Sequence, residues 1–214
     1  MNFYFITDRG LSVNGMLQDV KEALEAGAGV VQYRDKNVSS REMYETGKAI
    51  RKLCTEYSAL YIVNDRADIA LATEADGVHL GQSDLPAGVA RKLMPRGIIG
   101  VSCGNVFQVL EAVDGGADYL GVSPIYPTTT KLDAGEALGL ETLWEIRENT
   151  RLPIVAIGGI TLERVEKVIE AGADTVSAMS ATIGQNVKEK VREFIEMVER
   201  GGEIREGKDM EEIP

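Results

Sequence analysis

Five short polar clusters in this chain each follow directly on a short apolar run: Gln32-Tyr33-Arg34-Asp35-Lys36, Asn64-Asp65-Arg66, Gln82-Ser83-Asp84, Thr128-Thr129-Thr130-Lys131 and Gly158-Gly159. They bring together cations, separate carboxylates, hydroxyls and a glycine pair, the equipment for holding a phosphorylated substrate with a divalent metal. Arg34 and Lys36 are spaced i, i+2, so they project to the same side of an extended chain and suit a multiply charged anion. Gln32 lies two residues earlier inside an apolar run, where its amide needs a partner that a ligand can supply. Asp65 and Asp84 follow successive runs and offer hard oxygen ligands, few in number, of the kind Mg²⁺ takes while keeping positions for water and substrate phosphate. Either aspartate taken alone could instead cap the following helix, and Asn64 could form an Asx turn.

Ser102 ends another apolar run and can donate to a phosphate oxygen. Thr128, Thr130 and Lys131 stand on a long Pro- and Gly-containing stretch, residues 124–139, which reads as a lid that closes over phosphates and excludes water. Gly158-Gly159 and the run Ser177-Ala178-Met179-Ser180, placed on an eighth strand, suit phosphate binding by backbone N–H groups. His79 is the only histidine. A two-histidine metal site or a histidine triad is therefore out of reach of one chain, and His79 reads as a satisfied core or barrel-mouth residue. Cys103 reads as a buried thiol, and Trp144 and Met94 read as helix packing.

These clusters need elements that bring them to one place. Apolar runs near 2–7, 29–34, 60–64, 77–80, 98–102, 119–123, 153–157 and 175–179 alternate with amphipathic stretches near 14–26, 39–57, 66–73, 86–94, 105–115, 139–149, 161–171 and 187–200, the pattern of repeated βα units. Ser39 with Glu42 forms a capping-box signature, and Thr161 stands at an N-cap position. Residues 25–29, 74–77, 115–118 and 170–174 repeat one glycine-containing joint, expected to place glycine with positive φ just past each helix. Eight such units favour a single closed (β/α)8 barrel over a doubly wound open sheet, and all five clusters then lie at the C-terminal ends of the strands. The barrel is expected to occupy residues 1–200, with 201–214 as a charged, apolar-poor tail that is disordered or a surface strap.

At 214 residues, 44% hydrophobic and 27% charged, the chain has material for one large core. A net charge of −11 argues against nucleic acid or an anionic membrane as main partner. No run approaches the roughly 20 apolar residues of a membrane span, and two cysteines make no disulfide framework. A cytoplasmic protein with small-molecule substrates is expected, and homo-oligomerisation is left open.

Taken in order, Gln32-Tyr33-Arg34-Asp35-Lys36, Asn64-Asp65-Arg66, the stretch from Gly77-Val78-His79-Leu80 through Asp84, Gly121-Val122-Ser123-Pro124 through Lys131, and Ala156-Ile157-Gly158-Gly159-Ile160 resemble the thiamine-phosphate synthase family from the first strand to about residue 184. The resemblance implies a TIM barrel that joins 4-amino-2-methyl-5-hydroxymethylpyrimidine diphosphate to 4-methyl-5-(2-hydroxyethyl)thiazole phosphate, releasing pyrophosphate. It further implies that Gln32, Arg34, Lys36, Asn64, Ser102 and Lys131 hold the pyrimidine diphosphate and that Asp65 and Asp84 bind Mg²⁺. Thr128, Thr130, Gly159, Met179 and Ser180 would take the thiazole phosphate, and Tyr33, Asp35 and Thr129 fall inside the same motifs and count with the binding residues. Arg34, Lys36, Lys131 and Ser102 would act on the leaving group. The resemblance extends to the related thiazole phosphate tautomerases, which share the barrel and use a histidine two positions past this serine; Gly104 stands there and disfavours that alternative. A sensor that binds precursor without turnover is the remaining alternative.

Overall fold

A computed structural model describes residues 2–130 and 135–211. Eight strands form one parallel sheet in sequence order: β1 (Tyr4–Ile6), β2 (Val30–Tyr33), β3 (Leu60–Asn64), β4 (Gly77–Leu80), β5 (Ile98–Cys103), β6 (Tyr119–Val122), β7 (Ile154–Ile157) and β8 (Thr175–Ser177). β8 returns beside β1 and closes the ring. The helices are α1 (Met16–Glu25), α2 (Ser40–Glu56), α3 (Ala67–Ala72), α4 (Ala87–Leu93), α5 (Val106–Asp114), α6 (Gly139–Glu148), α7 (Leu162–Glu170), α8 (Met179–Thr182) and α9 (Val187–Glu211). The expected (β/α)8 barrel is the fold observed.

The strands are apolar on both sides because both sides are buried. Outward residues such as Val31, Tyr33, Val63 and Leu120 meet the helices, while Tyr4, Ile6, Val30, Ile62, Tyr119 and Val155 fill the barrel itself. Helix starts follow the local signals. Ser39 Oγ accepts the Glu42 N–H at 3.2 Å, and Thr161 is the N-cap of α7. Three of the four repeated joints place a positive-φ glycine as expected, at Gly27, Gly116 and Gly172. The fourth differs: Glu74 takes the left-handed conformation, and Gly77 lies inside β4, where a Cβ would come within 2.1 Å of the Ile98 carbonyl oxygen.

The same joints fasten the lower, N-terminal end of the barrel. Asp76, Asp118 and Asp174 each accept the N–H that opens the preceding odd-numbered strand, from Tyr61, Ile99 and Ile154, at 2.7–2.8 Å. Each is also paired with an arginine, Arg51, Arg91 or Arg147, at 2.5–3.1 Å. A carboxylate that accepts both a backbone N–H and a guanidinium satisfies two donors at a strand entrance.

The chain beyond residue 200 departs from the tail expected there, because α9 runs on to Glu211. Gly201 does not stop the helix. It is buried against Ile169 of α7, where its missing Cβ, 3.1 Å from that side chain, allows a close helix crossing. Arg205 donates to the Ala173 carbonyl at 2.8 Å and to Asp174 at 3.1 Å. Two further expectations change. Met179 and Ser180 belong to the short helix α8 and not to the eighth strand, and Trp144 is 58% exposed. Among the described residues, no helix is long and apolar enough to cross a membrane.

Candidate active site

The upper, C-terminal end of the barrel holds a cavity of about 320 Å³. Gln32, Arg34, Lys36, Asn64, Asp65, Asp84, Ser102 and Met179 all line it, although they come from five different βα units. Period-two alternation explains which residues of the second cluster arrive. Gln32, Arg34 and Lys36 face the cavity, whereas Tyr33 is fully buried among the helices and Asp35 turns away to pair with Arg9 at 2.8 Å. The structure therefore keeps Tyr33 and Asp35 out of the cavity.

Arg34 is braced at its backbone: its N–H donates to Thr7 Oγ1 at 2.9 Å, and that hydroxyl donates back to the Arg34 carbonyl at 3.1 Å. Its guanidinium lies 3.5 Å from Asp8, and the Lys36 ammonium lies 3.5 Å from Asp65. Both ion pairs are long, as suits cations that are to exchange a resident carboxylate for a ligand anion.

Asp65 has φ 64°, a left-handed conformation uncommon for a residue with a Cβ. Its N–H donates to the His79 carbonyl at 2.8 Å, which fastens this strained turn to β4. Asp84 lies in the turn after β4 and accepts the Gly81 N–H at 2.7 Å. Neither aspartate caps a helix, since Arg66 and Pro86 occupy the N-caps of α3 and α4. Burial, and then the adjacent Asp84 carboxylate, hold the Asp65 carboxyl above its ordinary range, while Lys36 pulls the other way. Two crowded carboxylates with hard oxygens fit a small divalent cation. No third His, Cys, Asp or Glu completes a closed metal site among the described residues, which leaves coordination positions for water and phosphate oxygens.

The remaining residues divide. Ser102 Oγ lies 2.9 Å from His79 Nε2, and Gln82 Nε2 donates to the Ser102 carbonyl at 2.6 Å. Thr128, Thr129 and Thr130 do not line the cavity; the Thr130 N–H donates to Thr128 Oγ1 at 3.3 Å in a local turn. The stems of their loop are tied together, Leu138 N–H to the Pro124 carbonyl and Gly139 N–H to the Ile125 carbonyl. Lys131 lies outside the described residues. Gly159 has φ 63°, and a Cβ there would come within 2.7 Å of the Pro127 carbonyl oxygen, so it sits under this loop and not in the cavity. Ser180 is exposed beside Met179. Cys103 is a buried thiol that burial pushes up to about 12.

Asp8 and Arg9, at the end of the first strand where sequence reasoning allows a contribution to the site, pair with Arg34 and Asp35, whereas two tyrosines beneath the cavity floor are missed by it. Tyr4 and Tyr119 looked like ordinary strand residues, yet their hydroxyls are 2.6 Å apart and connect to Gln32 and His79.

The model of the family described as thiamine monophosphate synthase matches residues 3–182. This chain belongs to that family. Thiamine-phosphate synthase of Methanosarcina barkeri is 46% identical over 202 residues, covering 94% of this chain and 91% of the relative. The Methanospirillum hungatei thiamine-phosphate synthase is 52% identical over 182 residues, 84% and 88% of the two chains. The solved thiamine phosphate pyrophosphorylase of Pyrococcus furiosus superposes with a TM-score of 0.87 at 44% identity and covers 94% of this chain and 96% of its own. As a member of the thiamine monophosphate synthase family, the chain is a transferase of thiamine biosynthesis.

Proposed function

We propose that the upper cavity condenses 4-amino-2-methyl-5-hydroxymethylpyrimidine diphosphate with 4-methyl-5-(2-hydroxyethyl)thiazole phosphate, and that the reaction runs through a pyrimidine cation. One observation carries this reading: Arg34, Lys36, Asp65, Asp84, Ser102 and Gln32 converge on one cavity. That set is suited to stabilising a departing diphosphate.

The pyrimidine amino group feeds electron density into the ring, so the methylene C–O bond can break before the thiazole nitrogen attacks. The electron pair of that bond leaves with pyrophosphate. The thiazole nitrogen lone pair then forms the new C–N bond, and no protein atom becomes bonded to substrate. Arg34 and Lys36 offset the charge developing on the leaving oxygen, and Ser102 donates a hydrogen bond to it. Mg²⁺ held by Asp65 and Asp84 would add charge neutralisation on the same phosphates. Gln32 and Asn64 hold the pyrimidine. Met179, which lines the cavity, together with Thr128, Thr130, Gly159 and Ser180 outside it, would take the thiazole phosphate, and Lys131 with its loop would keep water from the cation.

Purified protein given both substrates and Mg²⁺ is expected to release thiamine phosphate and pyrophosphate in equal amounts, and chelation of the metal is expected to stop it. Binding of both substrates without product under these conditions would sink the proposal.

A further inference from the structure

Beneath the cavity floor, five polar side chains from five strands form one continuous line. Gln32 Nε2 lies 3.0 Å from Tyr4 Oη, Tyr4 Oη 2.6 Å from Tyr119 Oη, Tyr119 Oη 2.9 Å from His79 Nδ1, and His79 Nε2 2.9 Å from Ser102 Oγ. Gln32, Tyr4, Tyr119 and His79 are all at least 95% buried. The strands make room for the rings. A Cβ on Gly100 would come within 2.1 Å of the Tyr119 ring, and one on Gly121 within 2.8 Å of His79 Cε1. Glycine weakens a strand interior, so its presence at both positions marks a site where another group must approach closely.

We propose that this line is a one-way hydrogen-bond chain that fixes His79 as the Nε2–H tautomer and so commits the Ser102 hydroxyl to donate toward the substrate diphosphate. Its direction follows from counting donors. The Gln32 amide nitrogen only donates, so Tyr4 oxygen accepts from it and the Tyr4 O–H must go to Tyr119. The Tyr119 O–H then donates to His79 Nδ1, the ring carries its hydrogen on Nε2, and Nε2–H donates to Ser102 Oγ. The serine proton is left over and faces the cavity. With Gln32 Nε2 turned toward Tyr4, reversal would aim the Tyr4 O–H at an amide N–H₂ and waste a buried donor. Burial raises the pKa of both phenols, so each keeps the proton it must pass on. The same orientation leaves Gln32 Oε1, an acceptor, as the amide atom that Tyr4 does not engage; an amino group on the pyrimidine is the complementary donor. Tyr119 and His79 are thus positioning residues that act through Ser102.

The part of the inference that concerns the diphosphate rests on the function proposed above, whereas the tautomer does not. Because the chain has one histidine, ¹⁵N-histidine labelling gives a single imidazole. At about pH 8, above the ordinary imidazole range near 6.5, the spectrum of the parent protein is expected to show a protonated Nε2 and an accepting Nδ1. A protonated Nδ1, or an even mixture, overturns the proposal. Tyr119→Phe keeps the ring and removes the donor to Nδ1. It is expected to mix the two tautomers and to lower kcat/KM about tenfold, the loss of one buried hydrogen bond. In a Ser102→Ala background the same substitution is expected to cost no further activity, because the chain ends at that hydroxyl. Equal losses in both backgrounds would show a merely structural role and overturn it. Should the parent protein fail to condense the two substrates, the reaction assignment falls alone, and the imidazole spectrum still decides the tautomer.

Discussion

The two ends of this barrel use the same residue types in opposite ways. At the lower end Asp76, Asp118 and Asp174 each meet an arginine and a backbone N–H at hydrogen-bond distance, and every one of these carboxylates is matched. At the upper end Arg34 and Lys36 stand 3.5 Å from their carboxylates, Asp65 is held at positive φ, and burial and Asp84 disfavour its charge. Aspartate and arginine at a strand entrance fasten the fold. Around the upper cavity Arg34 and Asp65 are held in longer, strained arrangements that a ligand can relieve.

That contrast can be broken by substitution. The largest effect is expected from Asp65→Ala combined with Asp84→Ala, which should lower Mg²⁺-dependent turnover by roughly a thousandfold or more. A thermal melt of the metal-free variant should show only a small loss of stability, since relief of two crowded like charges offsets the lost Asp84–Gly81 hydrogen bond and the alanine at positive φ. A melting temperature well below the parent's would mean that these residues serve the fold. Next, Arg34→Ala should reduce kcat/KM by about a hundredfold in steady-state assays with an unchanged melting temperature.

At the lower end the expectation inverts. Asp174 binds two arginines and the Ile154 N–H, so Asp174→Ala should cost about 2 kcal/mol and lower the melting temperature by roughly 4–8 °C, with turnover per folded molecule unchanged. A large fall in kcat without a fall in melting temperature would erase the distinction between the two ends. The smallest effect belongs to the exposed Arg66–Asp68 pair at 2.6 Å. The guanidinium holds the Asp68 carboxyl below its usual range, so its contribution is present above the unfolded-state value and is lost as pH falls through the folded one. Screening limits it to no more than about 0.5 kcal/mol. Asp68→Asn should melt slightly below the parent at neutral pH and together with it in acid.

The barrel was legible because short runs buried on both sides leave unbroken apolar segments, and because glycines and caps mark most helix ends. The alternation Gln32, Arg34, Lys36 was legible for the same geometric reason, and it also argued against Tyr33 and Asp35; only the shape of the motif brought those two in. The Gln32–Tyr4–Tyr119–His79–Ser102 line was not legible. It joins strands that are remote in sequence, and a tyrosine within an apolar run gives no sign that its hydroxyl has partners inside the barrel. The reach of α9 was hidden likewise, because Gly201-Gly202 reads as a helix stop unless the Ile169 side chain against Gly201 is known.

At the lower rim three arginine–aspartate clamps tie β3 to β4, β5 to β6 and β7 to β8, whereas the first pair is joined there by Asn2, which accepts the Gly29 N–H at 3.0 Å and donates to the Gly27 carbonyl at 2.7 Å. Mechanically, then, the lower rim is four two-strand staves, three riveted there by charge and one held there by a neutral amide. Under strain or heat it should part first along the stave that begins the chain, and amide hydrogens of β1 and β2 should exchange ahead of the rest.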